Sequence, residues 1–182
     1  MGMIIIWIIK KILIMRGFCY KFKYNRLDKK MPSLIVIDMQ KHFDTSKNRK
    51  LRLNIKNLIK KSIEKKENIV FVEYEDLGRT IPYLTNLTKE YDKVHFITKE
   101  DDDGSYEIIE YFRDNKIPFN KVTICGINKS ACVFATVEGL SKRRKRAKII
   151  VDIDACADGY DCDYFTEEDF KEIGPNVSLN HI

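Results

Sequence analysis

Histidine is scarce in this sequence: three in 182 residues, at positions 42, 95 and 181, with no ligand spacing to the cysteines. That excludes a zinc-finger or zinc-hydrolase signature, which needs nitrogen and sulfur donors at short, fixed intervals. The five cysteines (19, 125, 132, 156 and 162) are odd in number and show no repeated close spacing, so a disulfide framework is not expected and a reducing cytosol is. Long apolar runs are missing too. The one at the N-terminus is broken by Lys10 and Lys11 and ends at Met15, short of the ~20 residues needed to cross a bilayer. Its charges follow the apolar stretch and small residues are lacking, the reverse of a secretory signal, and Ile6 replaces the Ser or Thr of a myristoylation signal. No tandem repeat or low-complexity linker interrupts the remainder.

What is there divides into two parts. Residues 1–30 form an apolar and basic extension, with eight Lys/Arg against the single acid Asp28. Of 33 basic and 27 acidic residues overall, 25 and 26 therefore remain in 31–182, and the formal net charge of +6 implies no nucleic-acid partner. Three readings of the extension stand side by side: a peripheral anchor giving weak membrane association, a poorly ordered tail, or sequence upstream of a start at Met31. The 44% hydrophobic content suits one domain with a sizeable core.

From Met31 on, strand-like and helix-like segments alternate. "SLIVID" is a continuous apolar run of the kind buried on both sheet faces and "NIVFVEY" a second buried strand; "KVHFITK", "KVTICGI" and "AKIIVDI" are further strands, and "NVSL" is a sixth, shorter candidate. Between them, residues 49–65 carry Leu51, Ile55, Leu58, Ile59 and Ile63 on one helical stripe. Further helices are expected over 81–91, 105–115, 130–145 and 166–172. This alternation predicts an α/β fold: a three-layer α/β/α Rossmann-like domain with a mainly parallel sheet of five or six strands.

Parallel sheets gather functional side chains at the carboxyl ends of their strands. Those ends bring Asp38, then Tyr74 and Glu75, then Lys99, then Gly126 and Ile127 leading to Cys132, and finally Asp152 or Asp154 onto one rim. An acid, an amine and a thiol can cooperate. Cysteine attacks as its thiolate, and the first turn of a helix together with Lys99 is expected to lower the Cys132 pKa. Asp38 is the candidate proton acceptor and donor. Backbone N–H groups of "GINKSAC", near Asn128 and Cys132, are candidate oxyanion donors. Phe43, Tyr74 and Asn128 are candidate pocket walls. Other residues read as structural: Cys125 and Cys156 as core, Cys162 as a loop thiol, His42 as outward-facing, Asp154 as a support for the loops, and "SKRRKRAK" as a solvated helix C-terminus.

The segments "LIVIDMQKHF", "FITK", "CGINKSACVFAT" and "VDIDACAD", in that order across residues 33–158, resemble the motifs of the isochorismatase-like cysteine hydrolases. The resemblance implies a hydrolase domain over 31–182, catalytic Asp38, Lys99 and Cys132, a thioester on Cys132, and a cis peptide between Ile127 and Asn128 shaping the oxyanion hole. It also implies a cytoplasmic homo-oligomer acting on a small molecule. Relatives that hydrolyse nicotinamide carry an Asp-x-His metal motif between the second and third strands, where this chain has only His95. No cofactor or metal is therefore expected, and a small amide or other C–N bond is the expected target. Lys129 and the acidic "KEDDDG" after Lys99 depart from the pattern and are expected to reshape the pocket. Two rivals remain: a small-metabolite-binding protein that keeps the fold without turnover, and a membrane-peripheral interaction protein acting through residues 1–30.

Overall fold

The computed structural model describes residues 32–159 and 164–181. The extension 1–30 and Cys162 lie outside them. Six strands, β1 (Ser33–Ile37), β2 (Asn68–Tyr74), β3 (Val94–Lys99), β4 (Lys121–Gly126), β5 (Lys148–Cys156) and β6 (Val177–Asn180), form one sheet in the order β3-β2-β1-β4-β5-β6. Every pairing is parallel. The predicted fold class and the sixth strand are thus both present.

The runs of β1 and β2 are buried almost end to end because successive side chains point to opposite faces and both faces are covered there. Ile35 and Ile37 of β1 join Val70, Val72, Val122 and Ile124 on one side, while Leu34 and Val36 join Ile69 and Phe71 on the other. The second face is sealed by α1 (Arg49–Glu64), through Leu51, Ile55 and Ile59, and by the single turn α2 (Pro82–Thr85). Asn48 caps α1 by accepting from the Leu51 N–H at 3.1 Å. The first face is sealed by α3 (Ser105–Asp114), α4 (Phe134–Arg143) and α5 (Glu167–Glu172), with Ile108, Phe112, Val137, Leu140 and Phe170 inward.

Two expectations are corrected. The helix over 81–91 is only α2 followed by a tight turn at Asn86–Thr88. Pro82 starts α2, but too little apolar stripe follows to carry the helix further. The expected third strand, β3, is present as a sheet edge, where Phe96 stays 45% exposed. The helix over 130–145 opens with a π-type turn (Lys129–Val133) before α4 begins. The basic run at the end of α4 is exposed as expected at Lys142, Arg143, Lys145 and Arg146, with Lys142 paired to Glu138 and Arg143 to Asp103.

The chain runs outward from β1 to β3, then returns to β4 and runs the other way. Adjacent β1 and β4 therefore form the switch point at which a crevice opens beyond the strand ends. Gly126 ends β4 there at φ +131°, and a Cβ would meet the Ile37 carbonyl oxygen at 2.1 Å, so only glycine lets the two strand ends approach this closely. Among the described residues no helix is long and apolar enough to cross a membrane.

Candidate active site

Asp38 follows β1 directly, with a left-handed backbone (φ +52°) that aspartate tolerates better than most residues. Its N–H bonds the Val72 carbonyl at 2.9 Å, turning the carboxylate inward over the end of the sheet. Gln40 fixes the same corner: its side chain donates to the carbonyls of Tyr74 (2.9 Å) and Gly78 (2.6 Å) and accepts from the Tyr74 N–H (2.8 Å). The "DMQ" segment is thereby a clamp between the first two strand ends.

Lys99 ends β3, two strands away from β1, a gap of roughly 10 Å at ordinary strand spacing. Its four-carbon stem crosses the end of β2, and Nζ stops 3.1 Å from Asp38 Oδ2, with both side chains fully buried. Three features hold it. Nζ donates to the Asp101 carbonyl at 2.9 Å, the Tyr74 ring lies 4.2 Å from it as a cation–π partner, and Gly104 gives the stem room, since a Cβ there would come 2.8 Å from Lys99 Cδ.

Cys132 lies in the π-type turn, where the Asn128 carbonyl accepts from both Ala131 (3.3 Å) and Val133 (3.0 Å). The turn is pinned from β5 and its following loop: the Ser130 N–H and hydroxyl both donate to Asp158 Oδ1, at 2.8 and 2.9 Å, and the Lys129 N–H reaches the Ala157 carbonyl at 3.0 Å. The thiol is 3% exposed and lies close to both Asp38 and Lys99. Its best-formed hydrogen bond goes elsewhere, to Asp102 Oδ1 at 3.1 Å. Neither oxygen of the buried Asp38 carboxylate receives a well-formed hydrogen bond.

The electrostatics reverse one expectation. The Cys132 thiol is not acidified but pushed up to about 12, first by burial and then by the Asp38 charge, against which Lys99 pulls the other way. A helix end and one ammonium do not outweigh desolvation and two neighbouring carboxylates. Asp38 is raised too, again chiefly by burial and with Lys99 opposing. The resting arrangement is therefore a neutral thiol beside a carboxylate that is a better base than an ordinary aspartate.

The other sequence-derived residues divide. Tyr74 stands at the site, over Lys99. The Ile127–Asn128 peptide is cis, as the resemblance implies. The Ile127 side chain, however, is core, and its N–H is taken by the Ile37 carbonyl at 3.1 Å. Phe43 packs on the α1 face of the sheet, edge-on to an exposed His42 at 5.7 Å. Cys125 is fully buried and Cys156 half-buried, both against the hydrophobic core. His95 bonds Asn68 and Tyr111 lower on the edge strand, opposite Val70. The carboxylate that supports the Cys132 loop is Asp158; Asp154 contributes its backbone carbonyl to Asn54 at 2.6 Å. Asp102 was missed, although the acid run "EDDDG" directly after Lys99 was the signal that could have found it. Among the described residues no three His, Cys, Asp or Glu side chains stand together as a metal-binding group.

Comparison with solved structures finds the same fold repeatedly. A nicotinamidase from Staphylococcus aureus is 24% identical, over 70% of this chain and 83% of that one, with a TM-score of 0.58. An N-carbamoylsarcosine amidase from Thermoplasma acidophilum is 18% identical, over 84% and 96%, at 0.66. A MAR1 ribonuclease from Caenorhabditis elegans is 21% identical, over 85% and 78%, also at 0.66. Neither protein-family profiles nor curated proteins give a match to the sequence. At the level of fold, the resemblance to the isochorismatase-like cysteine hydrolases is borne out by these neighbours.

Proposed function

We propose that this chain is a metal-independent cysteine hydrolase of the isochorismatase-like type that cleaves a small amide or other C–N bond through a thioester on Cys132. The observation that carries the reading is the buried Asp38–Lys99 ion pair at the switch point, with a thiol beside it. A charged pair removed from water is costly unless it is closely compensated, and such perturbed groups concentrate at functional sites. The fold shared with two amidases supports the reaction class.

The chemistry follows from the proton positions. Asp38 takes the thiol proton as Sγ bonds to the substrate carbonyl carbon, and the C=O electron pair moves onto oxygen. In the segment that brackets the thiol, the N–H groups of Ile127, Lys129, Ser130, Ala131 and Val133 are committed to acceptors elsewhere, so Asn128 and Cys132 supply the oxyanion donors. Collapse breaks the C–N bond, and Asp38 returns its proton to the leaving nitrogen. Asp38 then takes a proton from water, whose oxygen attacks the thioester carbon; Sγ leaves and is reprotonated. Lys99, 3.1 Å from Asp38 Oδ2, limits how far burial raises that carboxyl. No step requires a histidine.

The pH dependence carries a sign. Asp38 must be ionised to act, and its pKa lies above the ordinary carboxylate value, so kcat/KM falls as pH drops through that raised value. No alkaline loss arises from the thiol, which stays protonated toward about 12. Rates on a small primary amide from about pH 4 to about pH 10 check this, and a profile flat through the acid range would remove Asp38 as the base. Dialysis of the full chain against a chelator is expected to leave turnover unchanged within about twofold, because no step is routed through a metal. A tenfold loss restored by zinc would contradict the proposal.

A second reading, small-metabolite binding without turnover, draws on the same burial: a thiol 3% exposed and held neutral is inert at rest. Mass spectrometry of the chain quenched during incubation with an amide separates the two. A covalent adduct on Cys132 supports hydrolysis, and bound but intact amide supports binding.

A further inference from the structure

The mouth of the site has a charge opposite to that of the whole molecule. Over the buried thiol stands an exposed residue, Asp102, whose carboxylate accepts the Cys132 thiol hydrogen at 3.1 Å. Asp101 and Asp102 follow Lys99 on this rim, and Glu75 and Asp76 lead out of β2 beside the Tyr74 ring, all four of them exposed. Among the described residues none of these four carboxylates forms an ion pair; the cations Lys99, Arg79 and Arg143 are engaged, while Lys129, in the turn that carries Cys132, lies over the Phe165 ring at 5.8 Å. Lys99 is buried against Asp38, Arg79 is paired with Glu73 at 2.9 Å, and Arg143 with Asp103 at 3.1 Å. Beneath them Asp38 is fully buried, its Oδ2 facing Lys99 Nζ at 3.1 Å. Acceptors thus line both the entrance and the floor.

An electrophile that bonds to Sγ meets Asp102, the exposed residue whose carboxylate lies 3.1 Å from sulfur. A carboxylate on that molecule would meet like charge at the rim, with Lys129 the cation left to oppose it. An N–H-bearing group, and above all a cationic one, would meet acceptors at Asp102 and Asp38. A concave site rimmed by one sign of charge also concentrates ligands of the other sign.

We propose that the site admits substrates lacking an anionic group and favours cationic ones, with Asp102 shielding the resting thiol and receiving the substrate's N–H donors. Asp102 is a specificity residue here, not a base: proton transfer remains with Asp38. The inference rests on Cys132 as the attacking atom, but it makes a claim about the entrance that does not need turnover.

The test labels the full chain with three methanethiosulfonates of matched size, carrying a positive, a neutral and a negative end group. Each transfers its thio group to Sγ, forming an S–S bond and releasing methanesulfinate, and peptide mapping follows modification of Cys132 alone. The expected rate order is positive, neutral, negative, with about a tenfold ratio between the extremes at low salt, shrinking as salt screens the rim. In Asp102→Asn the ratio should fall toward one while neutral labelling becomes no slower. Equal rates in the unaltered chain, an anionic preference reporting dominance by Lys99, a ratio untouched by Asp102→Asn, or a Cys132 that no reagent reaches would each overturn the proposal. Charge-selective labelling in a chain that hydrolyses no amide would uphold it and sink the hydrolase reading; amide turnover without charge selection would do the opposite.

Discussion

Cys132→Ala is expected to lower hydrolysis of any amide substrate by about 10⁴-fold or more, the scale on which enzymes lose rate when a covalent nucleophile is removed. The reason is local. Without Sγ no bond between protein and carbonyl carbon forms, and what survives is binding, oxyanion stabilisation and direct attack by a water that Asp38 is not placed to aim at the amide. Stability should move little by comparison: the thiol is small and packs among Val133 and its neighbours, so a cost of about 1 kcal/mol is the scale. The check is kcat/KM with urea midpoints measured on the same preparations. A variant that keeps more than about a tenth of the rate would remove Cys132 from the mechanism.

Lys99→Met is expected to damage both folding and activity. It keeps most of the stem's apolar volume but leaves Asp38 at 0% exposure without its counter-charge. Breaking a buried pair from one side costs about 3–5 kcal/mol. The sign with pH follows from Asp38, whose pKa in the folded chain is already above its ordinary value and would rise further without Lys99. A carboxyl raised by folding is destabilising where it must ionise. The deficit is therefore largest near neutrality and shrinks as pH falls through the raised value toward the ordinary 3.8, where the carboxyl is protonated in both states. Asp38→Asn combined with Lys99→Met should regain most of the stability, since no buried charge remains, and none of the turnover. Urea denaturation at two pH values tests this. If the double variant is as unstable as Lys99→Met alone, the ion pair is not what Lys99 contributes.

The order of Asp38, Lys99 and Cys132 along the chain was readable because each ends or follows an apolar run, and ends of parallel strands share a rim. What the rim does with them was less readable. Lys99 does act on the thiol, but its ion pair is with Asp38, reached across β2 because β3 pairs outermost. Strand order depends on which edges meet, and all of these runs are similarly apolar, so no local pattern distinguishes an edge from a centre. Ile127 was placed at the substrate because its peptide is there, but a peptide and its side chain can face opposite ways. Asp102 was one of three consecutive aspartates, and only the fold distinguishes the one facing sulfur from Asp103, which turns away to Arg143.

By itself the sequence determined the layers, since alternation between fully apolar runs and amphipathic stripes leaves a covered parallel sheet as the arrangement that buries both faces. It determined as well which chemical groups would meet at one end, because strand direction is shared by all six. Only the tertiary structure decided the charge state at sulfur, raised where a helix end and a lysine had suggested lowered. That quantity depends on distances and on excluded water, which are sums over neighbours remote in the chain.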